Sequence, residues 1–110
     1  MNSKDLIKFF EVLMNEKTSV IVKKNHDYAN NINCFSNFEF VAKSLNIKVE
    51  LVFLVLILIK IARIEELINS NKTTSNESLS DSLLDLSNYV DLLNLYISQT
   101  EYQKKEYEYC

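Results

Sequence analysis

The stretch IKVELVFLVLILIKIARIEELIN, residues 47–69, decides the fold of this chain. Its apolar run, residues 51–59, is bounded by Glu50 and Lys60. That run is too short to span a membrane, because a spanning helix needs about twenty apolar residues. A helix that is apolar nearly all round is typical of one that other helices surround. We therefore predict a central core helix over residues 47–69.

The composition favours helices throughout the chain. The 110 residues contain no glycine and no proline, against usual shares of roughly 7% and 5%. Hairpin turns and β-bulges depend on these residues, so a sheet is disfavoured. The length suits one modest core. We predict an all-α fold, a four-to-five-helix bundle in a single domain over residues 1–110, with a central apolar helix and a long C-terminal helix.

Helix one is predicted over residues 3–24, with Ser3 as its N-cap and apolar residues at helical spacing. The β-branched stretch 18–22 could suggest a strand, but the helical spacing continues through it. The asparagine-rich segment 25–33 is predicted to be a loop, because asparagine side chains compete with the backbone hydrogen bonds of a helix.

Helix two has the clearest start signal in the chain. Ser36 and Glu39 form an S-x-x-E capping box, and Phe35 and Phe40 occupy the two positions of a hydrophobic staple. The helix should begin there and end near residues 45–46.

Helix four is predicted to extend from about Ser75 past Ile97. Thr74 and Glu77 offer a second capping box at its start. The tail 101–110 alternates charges with tyrosines, and we expect it either to fray or to pack against a partner.

Charge and cysteine usage exclude several classes of protein. The formal charge of −3 and a pI near 5.1 argue against binding to a long nucleic acid, which requires a basic face. Cys34 and Cys110 lie far apart, which suggests neither a zinc site nor a disulfide framework. The N-terminal residues lack the apolar segment of a signal peptide. We expect a cytoplasmic protein with reduced thiols and no membrane partner.

A row of carboxylates, which we call the ladder, lies along helix four. Glu77, Asp81 and Asp85 recur every fourth residue, and Asn88 comes next. At about 100° per residue, the ladder lies roughly opposite a stripe of apolar residues that we predict to face the core. That stripe comprises Leu79, Leu83, Leu86, Val90, Leu93 and Ile97.

The ladder has two interpretations. One is an ordinary solvated acidic face. The other is a covered site, because four large side chains share the ladder's sector and are poorly suited to water: Leu84, Leu92, Leu95 and Tyr96. Helices of the same chain or a second copy would then cover it. Covered carboxylates need cations, and Mg²⁺ prefers carboxylate oxygens while keeping waters for a phosphate-bearing ligand.

Lys60 and Arg63 lie one turn apart on helix three. Their positive charges are the alternative to Mg²⁺ as partners of the acid ladder. They could pair with the acids structurally or hold a phosphate, and the residues leave both readings open. The segment 23–28 gathers further donors. Its single histidine, His26, has no neighbour at metal-ligand spacing and is interpreted as a solvated loop residue.

Five short motifs occur in order along the chain. They are KNHDYA at 24–29, FSNF at 35–38, LNI at 45–47, KIARI at 60–64 and ESLSDSLLDLSNY at 77–89. In these motifs the chain resembles the phage and prophage proteins called nucleotide-modification-associated domains, over about residues 20–96. That family is similar to the all-helical MazG-like nucleotide pyrophosphohydrolases, which assemble as oligomers and use helix-borne acids to bind Mg²⁺ and cleave nucleoside triphosphates.

The resemblance implies a role for several of the matched residues. Glu77, Asp81 and Asp85 would be the Mg²⁺ ligands, and Lys60 and Arg63 would contact phosphate. The remaining candidates for ligand binding are Lys24, Asn25, Asp27, Tyr28 and Asn88. No catalytic residue is predicted.

The chain departs from the pattern of these enzymes at two places. Ile59 stands where relatives often carry an acid before the lysine, and the E-x-x-E motif is not evident because Glu65 and Glu66 are adjacent. Whether the protein is an enzyme is therefore left open. The prediction is a homo-oligomeric nucleotide-binding protein of a bacterial host's cytoplasm, with or without Mg²⁺-dependent phosphohydrolase activity. The alternative is a non-enzymatic phage inhibitor of host defence, which binds a host protein or sequesters a nucleotide signal.

Overall fold

The computed structural model describes residues 1–28, 33–70 and 78–109, with side chains described over 1–24, 33–70 and 78–99. These ranges form four α-helices and contain no strand: α1 (Ser3–Tyr28), α2 (Ser36–Leu45), α3 (Val49–Ser70) and α4 (Leu79–Tyr109). The prediction of an all-α fold with a long C-terminal helix is confirmed. No helix in the described ranges is long and apolar enough to cross a membrane. The chain divides into two compact units, residues 1–37 and 38–110.

The first unit consists mainly of α1, whose N-cap is Asn2 and not the predicted Ser3. The Asn2 side-chain oxygen accepts a hydrogen bond of 2.9 Å from the backbone N–H of Asp5, which is the third residue of the helix. Farther along, the Thr18 hydroxyl donates to the carbonyl of Met14 at 2.9 Å, a bond typical of a helix. The β-branched stretch is thus helical, as predicted.

The end of α1 differs from the prediction. The helix continues through Tyr28, so the predicted loop is wrong over residues 25–28, while residues 29–32 lie outside the described ranges. Once a helix has been nucleated, each further residue adds a backbone hydrogen bond at low cost. The weak helix propensity of asparagine, a fraction of a kcal/mol per residue, does not offset that gain.

The start of α2 at Ser36 is confirmed, and Asn33 shapes the turn that leads into it. The Asn33 side-chain oxygen accepts from the N–H of Phe35 at 3.0 Å, and its carbonyl accepts from the N–H of Ser36 at 3.2 Å. Phe35 is buried as the staple requires, but Phe40 is 71% exposed. The Phe40 ring therefore lies mostly in solvent, and the predicted staple is wrong at Phe40.

Asn46 terminates α2 in a left-handed conformation, with φ of 55°. The N–H of Ile47 donates to the carbonyl of Ala42 at 3.0 Å, and the N–H of Asn46 donates to that of Lys43 at 3.3 Å. These two bonds form a Schellman motif. Asparagine tolerates this conformation better than any residue but glycine, which the chain lacks.

The core of the second unit forms around Phe53 of α3, which is fully buried. The Phe38 ring of α2 stacks on it with centroids 4.4 Å apart, and the Tyr96 ring of α4 lies 6.3 Å away in a tilted arrangement. Burial of one such side chain stabilises a fold by about 1.5–3 kcal/mol, and an aromatic pair adds about 1 kcal/mol. Ala42 and Val52 are the other buried residues of this core.

The face of α4 that packs on α3 is not the predicted one. Four members of the predicted core stripe are 37–48% exposed: Leu79, Leu83, Val90 and Ile97. The opposite face, which carries Asp85, Asn88 and Tyr96, contacts α3 instead. The expectation that something covers the sector of the acid ladder is thus confirmed for Asp85, and α3 of the same chain supplies the cover.

The outer side of α3 is apolar and exposed. Within the second unit, α4 packs on one face of α3, while side chains on the other face are 44–57% exposed. These are Leu51, Leu54, Val55, Leu58, Ile59 and Ile61. Within the described part of the second unit, helices therefore do not surround α3 on every side.

Candidate functional site

A charged pair joins α3 and α4. The Lys60 Nζ lies 3.0 Å from the Asp85 Oδ2, and the two side chains are only 18% and 16% exposed. Lys60 therefore pairs with an acid of the ladder, which is one of its two sequence interpretations, while contact with a phosphate stays a prediction. Each charge of this pair depends on the other, because removing either partner leaves the remaining charge poorly solvated.

Two buried polar side chains flank Asp85 on the same face of α4. Ser82 precedes it by three residues and is fully buried, and Asn88 follows it by three and is 4% exposed. The Ser82 hydroxyl and both amide atoms of Asn88 have no hydrogen-bond partner among the described residues. Proteins pair about nine in ten buried polar groups, so three unpaired atoms within two turns of helix require an explanation.

Ser82 was not singled out from the sequence, although a signal was present. It shares the spacing of three that links Asp85 to Asn88, which places all three residues on one helical face. Serine also occurs at positions 78, 80 and 87, and only the folded structure distinguishes the buried one. We call Lys60, Asp85, Ser82 and Asn88 the polar cluster.

Arg63 extends the cationic side of the polar cluster toward solvent. It lies one turn beyond Lys60 on α3, is 31% exposed, and its Nη1 is 3.8 Å from the Glu66 Oε2. Glu66 is itself 70% exposed, so this contact is a weak surface pair. Arg63 thus offers a guanidinium at the edge of the site, where an anion from solvent could meet it.

Asp81 has a structural role at the start of α4. Its backbone N–H donates to the Ser78 hydroxyl at 3.1 Å, and its carboxylate accepts from the Ser78 N–H at 3.4 Å. This is a reciprocal capping box, and it begins α4 at Leu79, later than the predicted Ser75. The predicted box of Thr74 and Glu77 lies outside the described residues.

The described residues include two of the three predicted magnesium ligands, Asp81 and Asp85. No three His, Cys, Asp or Glu side chains among the described residues come together in a metal-binding arrangement. Asp81 is engaged in its capping box, and Asp85 faces the Lys60 ammonium, which a dication would have to displace. Glu77, the third predicted ligand, is outside the described residues. Magnesium binding by these acids stays a prediction.

The candidates near the end of α1 belong to the other unit. Lys24 is half-buried there. Asn25, Asp27 and Tyr28 are helical, but their side chains lie outside the described set. Their participation in one site with Lys60 stays a prediction.

Tyr96 marks the aromatic end of the same α4 face. Burial raises the pKa of its phenol above the usual value of 10.0, and the carboxylates of Glu50 and Glu39 raise that pKa further. Negative charge beside the ring and partial removal from water both disfavour the phenolate. Tyr96 therefore stays neutral at physiological pH.

The polar cluster combines a cation, an acid, an amide and a hydroxyl. No base lies within hydrogen-bonding distance of the Ser82 hydroxyl among the described residues, so this serine is not an activated nucleophile. Groups of these four kinds can form hydrogen bonds or ion pairs with polar and anionic groups. Comparison of the chain with protein-family models, curated proteins and solved structures finds no match.

Proposed function

We propose that this chain is a small helical nucleotide-binding protein, and that the polar cluster with Arg63 recognises its ligand. The observation that carries the proposal is the set of buried, unpaired polar atoms on Ser82 and Asn88. Leaving such atoms unpaired costs about 1–3 kcal/mol each, and a ligand with matching donors and acceptors would remove that cost. Because the atoms are buried, the ligand would have to displace the side chains that cover them. A side-chain amide with both atoms unpaired suits the edge of a base or a sugar hydroxyl.

The cations of α3 supply the phosphate-binding part of the proposal. Lys60 has an acid partner, so a phosphate would share or replace the contact with Asp85. Arg63 is more accessible, and its planar guanidinium matches two phosphate oxygens at once. The resemblance to nucleotide-modification-associated domains agrees with a phosphorylated ligand. Nucleotide binding by the polar cluster and Arg63 needs no metal, and it does not require that the nucleotide is hydrolysed.

Calorimetric titration of the full chain with nucleoside mono-, di- and triphosphates tests the proposal, with and without Mg²⁺. We expect one site per chain and at least about tenfold weaker binding for an Arg63→Gln variant. Lys43→Gln is the matched control, because Lys43 is an exposed lysine of α2 outside the cluster. The proposal is wrong if the parent protein binds no nucleotide at millimolar concentration. It is also wrong if Arg63→Gln binds every nucleotide as tightly as the parent protein does.

Phosphate release in the same mixtures separates binding from catalysis. Turnover that depends on Mg²⁺ and is lost in Asp81→Ala would support the hydrolase form of the proposal. Tight binding without turnover would instead support sequestration of a nucleotide signal.

A second candidate function is a non-enzymatic inhibitor that binds a host protein through α1. The observation that favours it is a run of large apolar side chains in α1 that are 44–61% exposed. The run comprises Leu6, Ile7, Phe9, Phe10, Val12 and Leu13. A stoichiometric host partner that is captured without nucleotide, and lost on Phe10→Asp but not on Lys8→Asp, would favour this function over the first.

A further inference from the structure

The exposed side of α3 carries a regular stripe with a spacing of three and four residues. The stripe consists of Lys48, Leu51, Val55, Leu58, Ala62 and Glu65. All six side chains are exposed, and the three largest apolar ones are 44–55% exposed. Alternation of three and four is the spacing at which two helices pack along a common seam. We call these six residues the α3 stripe.

The flanks of the α3 stripe are also apolar. Leu54 and Ile61 border it on one side and Ile59 on the other, each 44–57% exposed. An apolar patch of this extent on one helix is typical of an interaction surface. An extended nucleic acid does not fit it, because the patch offers a single cation at one end.

The two ends of the α3 stripe carry opposite charges. Lys48 immediately precedes the first residue of α3, and Glu65 lies about 25 Å farther along the helix. When a second α3 runs antiparallel in the register that places Val55 opposite Leu58, Leu51 meets Ala62 and Lys48 meets Glu65. The two-fold axis generates each contact twice. In a parallel pair, Lys48 would meet Lys48 and Glu65 would meet Glu65.

We propose that the α3 stripe is the interface of an antiparallel, two-fold homodimer of this chain. The occupant is a second copy because the stripe is complementary to itself in shape and charge, as a two-fold interface requires. A large residue faces a small one where Leu51 meets Ala62, and the helix dipoles also oppose one another favourably. The α3 face that holds the polar cluster points away from this interface, so ligand binding and dimerisation involve separate surfaces.

Sedimentation equilibrium of the full chain over about 1–200 µM tests the proposal. We expect a species of twice the 12.9 kDa chain mass. Leu58→Asp should raise the dissociation constant at least about 100-fold, because it places an unpaired carboxylate in the centre of the seam. Leu95→Asp is the matched control, since Leu95 is an exposed leucine of α4 and not part of the stripe. Circular dichroism verifies that both variants are helical.

Charge exchange tests the antiparallel register without altering the apolar residues. Glu65→Lys alone should weaken the dimer roughly five- to tenfold, because it creates two lysine–lysine contacts. Adding Lys48→Glu should restore affinity to within about twofold of the parent. A monomer at every concentration, which would leave the stripe to α1 of the same chain or to another protein, overturns the proposal. So does a dimer that Leu58→Asp leaves intact, or a double exchange that fails to restore affinity.

Discussion

The Lys60 ammonium lies 3.0 Å from the Asp85 carboxylate, and this contact lies on the face of α4 that meets α3. Both side chains are more than four-fifths removed from water. A contact of this kind adds little net stability, because desolvation offsets much of the attraction. Its consequences can be measured by removing one partner or both.

Removal of one partner should destabilise the protein more than removal of both. Asp85→Ala should lower the free energy of unfolding by about 3 kcal/mol, because the Lys60 charge is left in a poorly hydrated place. The double variant Lys60→Met/Asp85→Leu should lie within about 1 kcal/mol of the parent. Urea unfolding of the parent, Asp85→Ala and the double variant measures both values. The surface variant Glu66→Ala is the control and should cost less than about 1 kcal/mol.

Asn88→Leu should affect stability and binding in opposite directions. The Asn88 amide is buried without a partner among the described residues, so replacing it with an apolar side chain of similar size should raise the free energy of unfolding by about 1–2 kcal/mol. The same change should weaken nucleotide binding at least about tenfold. Thermal unfolding and calorimetry measure the two effects. The control is Asn94→Leu, at an exposed position of α4, which should change neither the free energy of unfolding nor the nucleotide affinity by much. A destabilised Asn88→Leu protein would mean that the Asn88 amide has a partner in the folded chain.

The capping box at the start of α4 separates structure from metal binding. Ser78→Ala and Asp81→Ala should each lower the free energy of unfolding by about 1 kcal/mol, because each removes one bond of the reciprocal pair. If Asp81 also binds Mg²⁺ as the sequence predicts, Asp81→Ala alone should weaken Mn²⁺ binding measured by electron paramagnetic resonance. Equal Mn²⁺ affinity in the two variants would remove Asp81 from the ligand set.

Alkaline pH should destabilise the protein partly through Tyr96. Its pKa is raised in the folded state, so between the unfolded and folded values the folded chain binds more protons than the unfolded chain. The free energy of unfolding must then fall as the pH rises above about 10. Tyr96→Phe should show a shallower fall over that window. The comparison isolates Tyr96 from the lysines, which titrate in the same range, and an unchanged slope would contradict the assignment.

The sequence determined the all-α class and the start of α2 at Ser36. Both are local properties, set by absent turn residues and by short-range signals at helix ends. Its local errors were also short-range: Asn2 replaced Ser3 as the cap of α1, and the helix continued past Lys24 into residues 25–28. In each case neighbouring groups compete within a few tenths of a kcal/mol to about 1 kcal/mol, and the sequence alone does not decide the outcome.

Tertiary structure alone decided which face of α4 is buried. Helical periodicity correctly grouped Asp85, Asn88 and Tyr96 on one side and the leucine stripe with Val90 on the other, but it assigned the leucines to the core. The packing reversed that assignment, because Phe53 contacts Tyr96 and Lys60 contacts Asp85 across the two helices. Periodicity specifies which residues share a face, whereas the free energy of burying that face depends on the residues opposite. Those partners are distant in sequence, so only the folded chain brings them together.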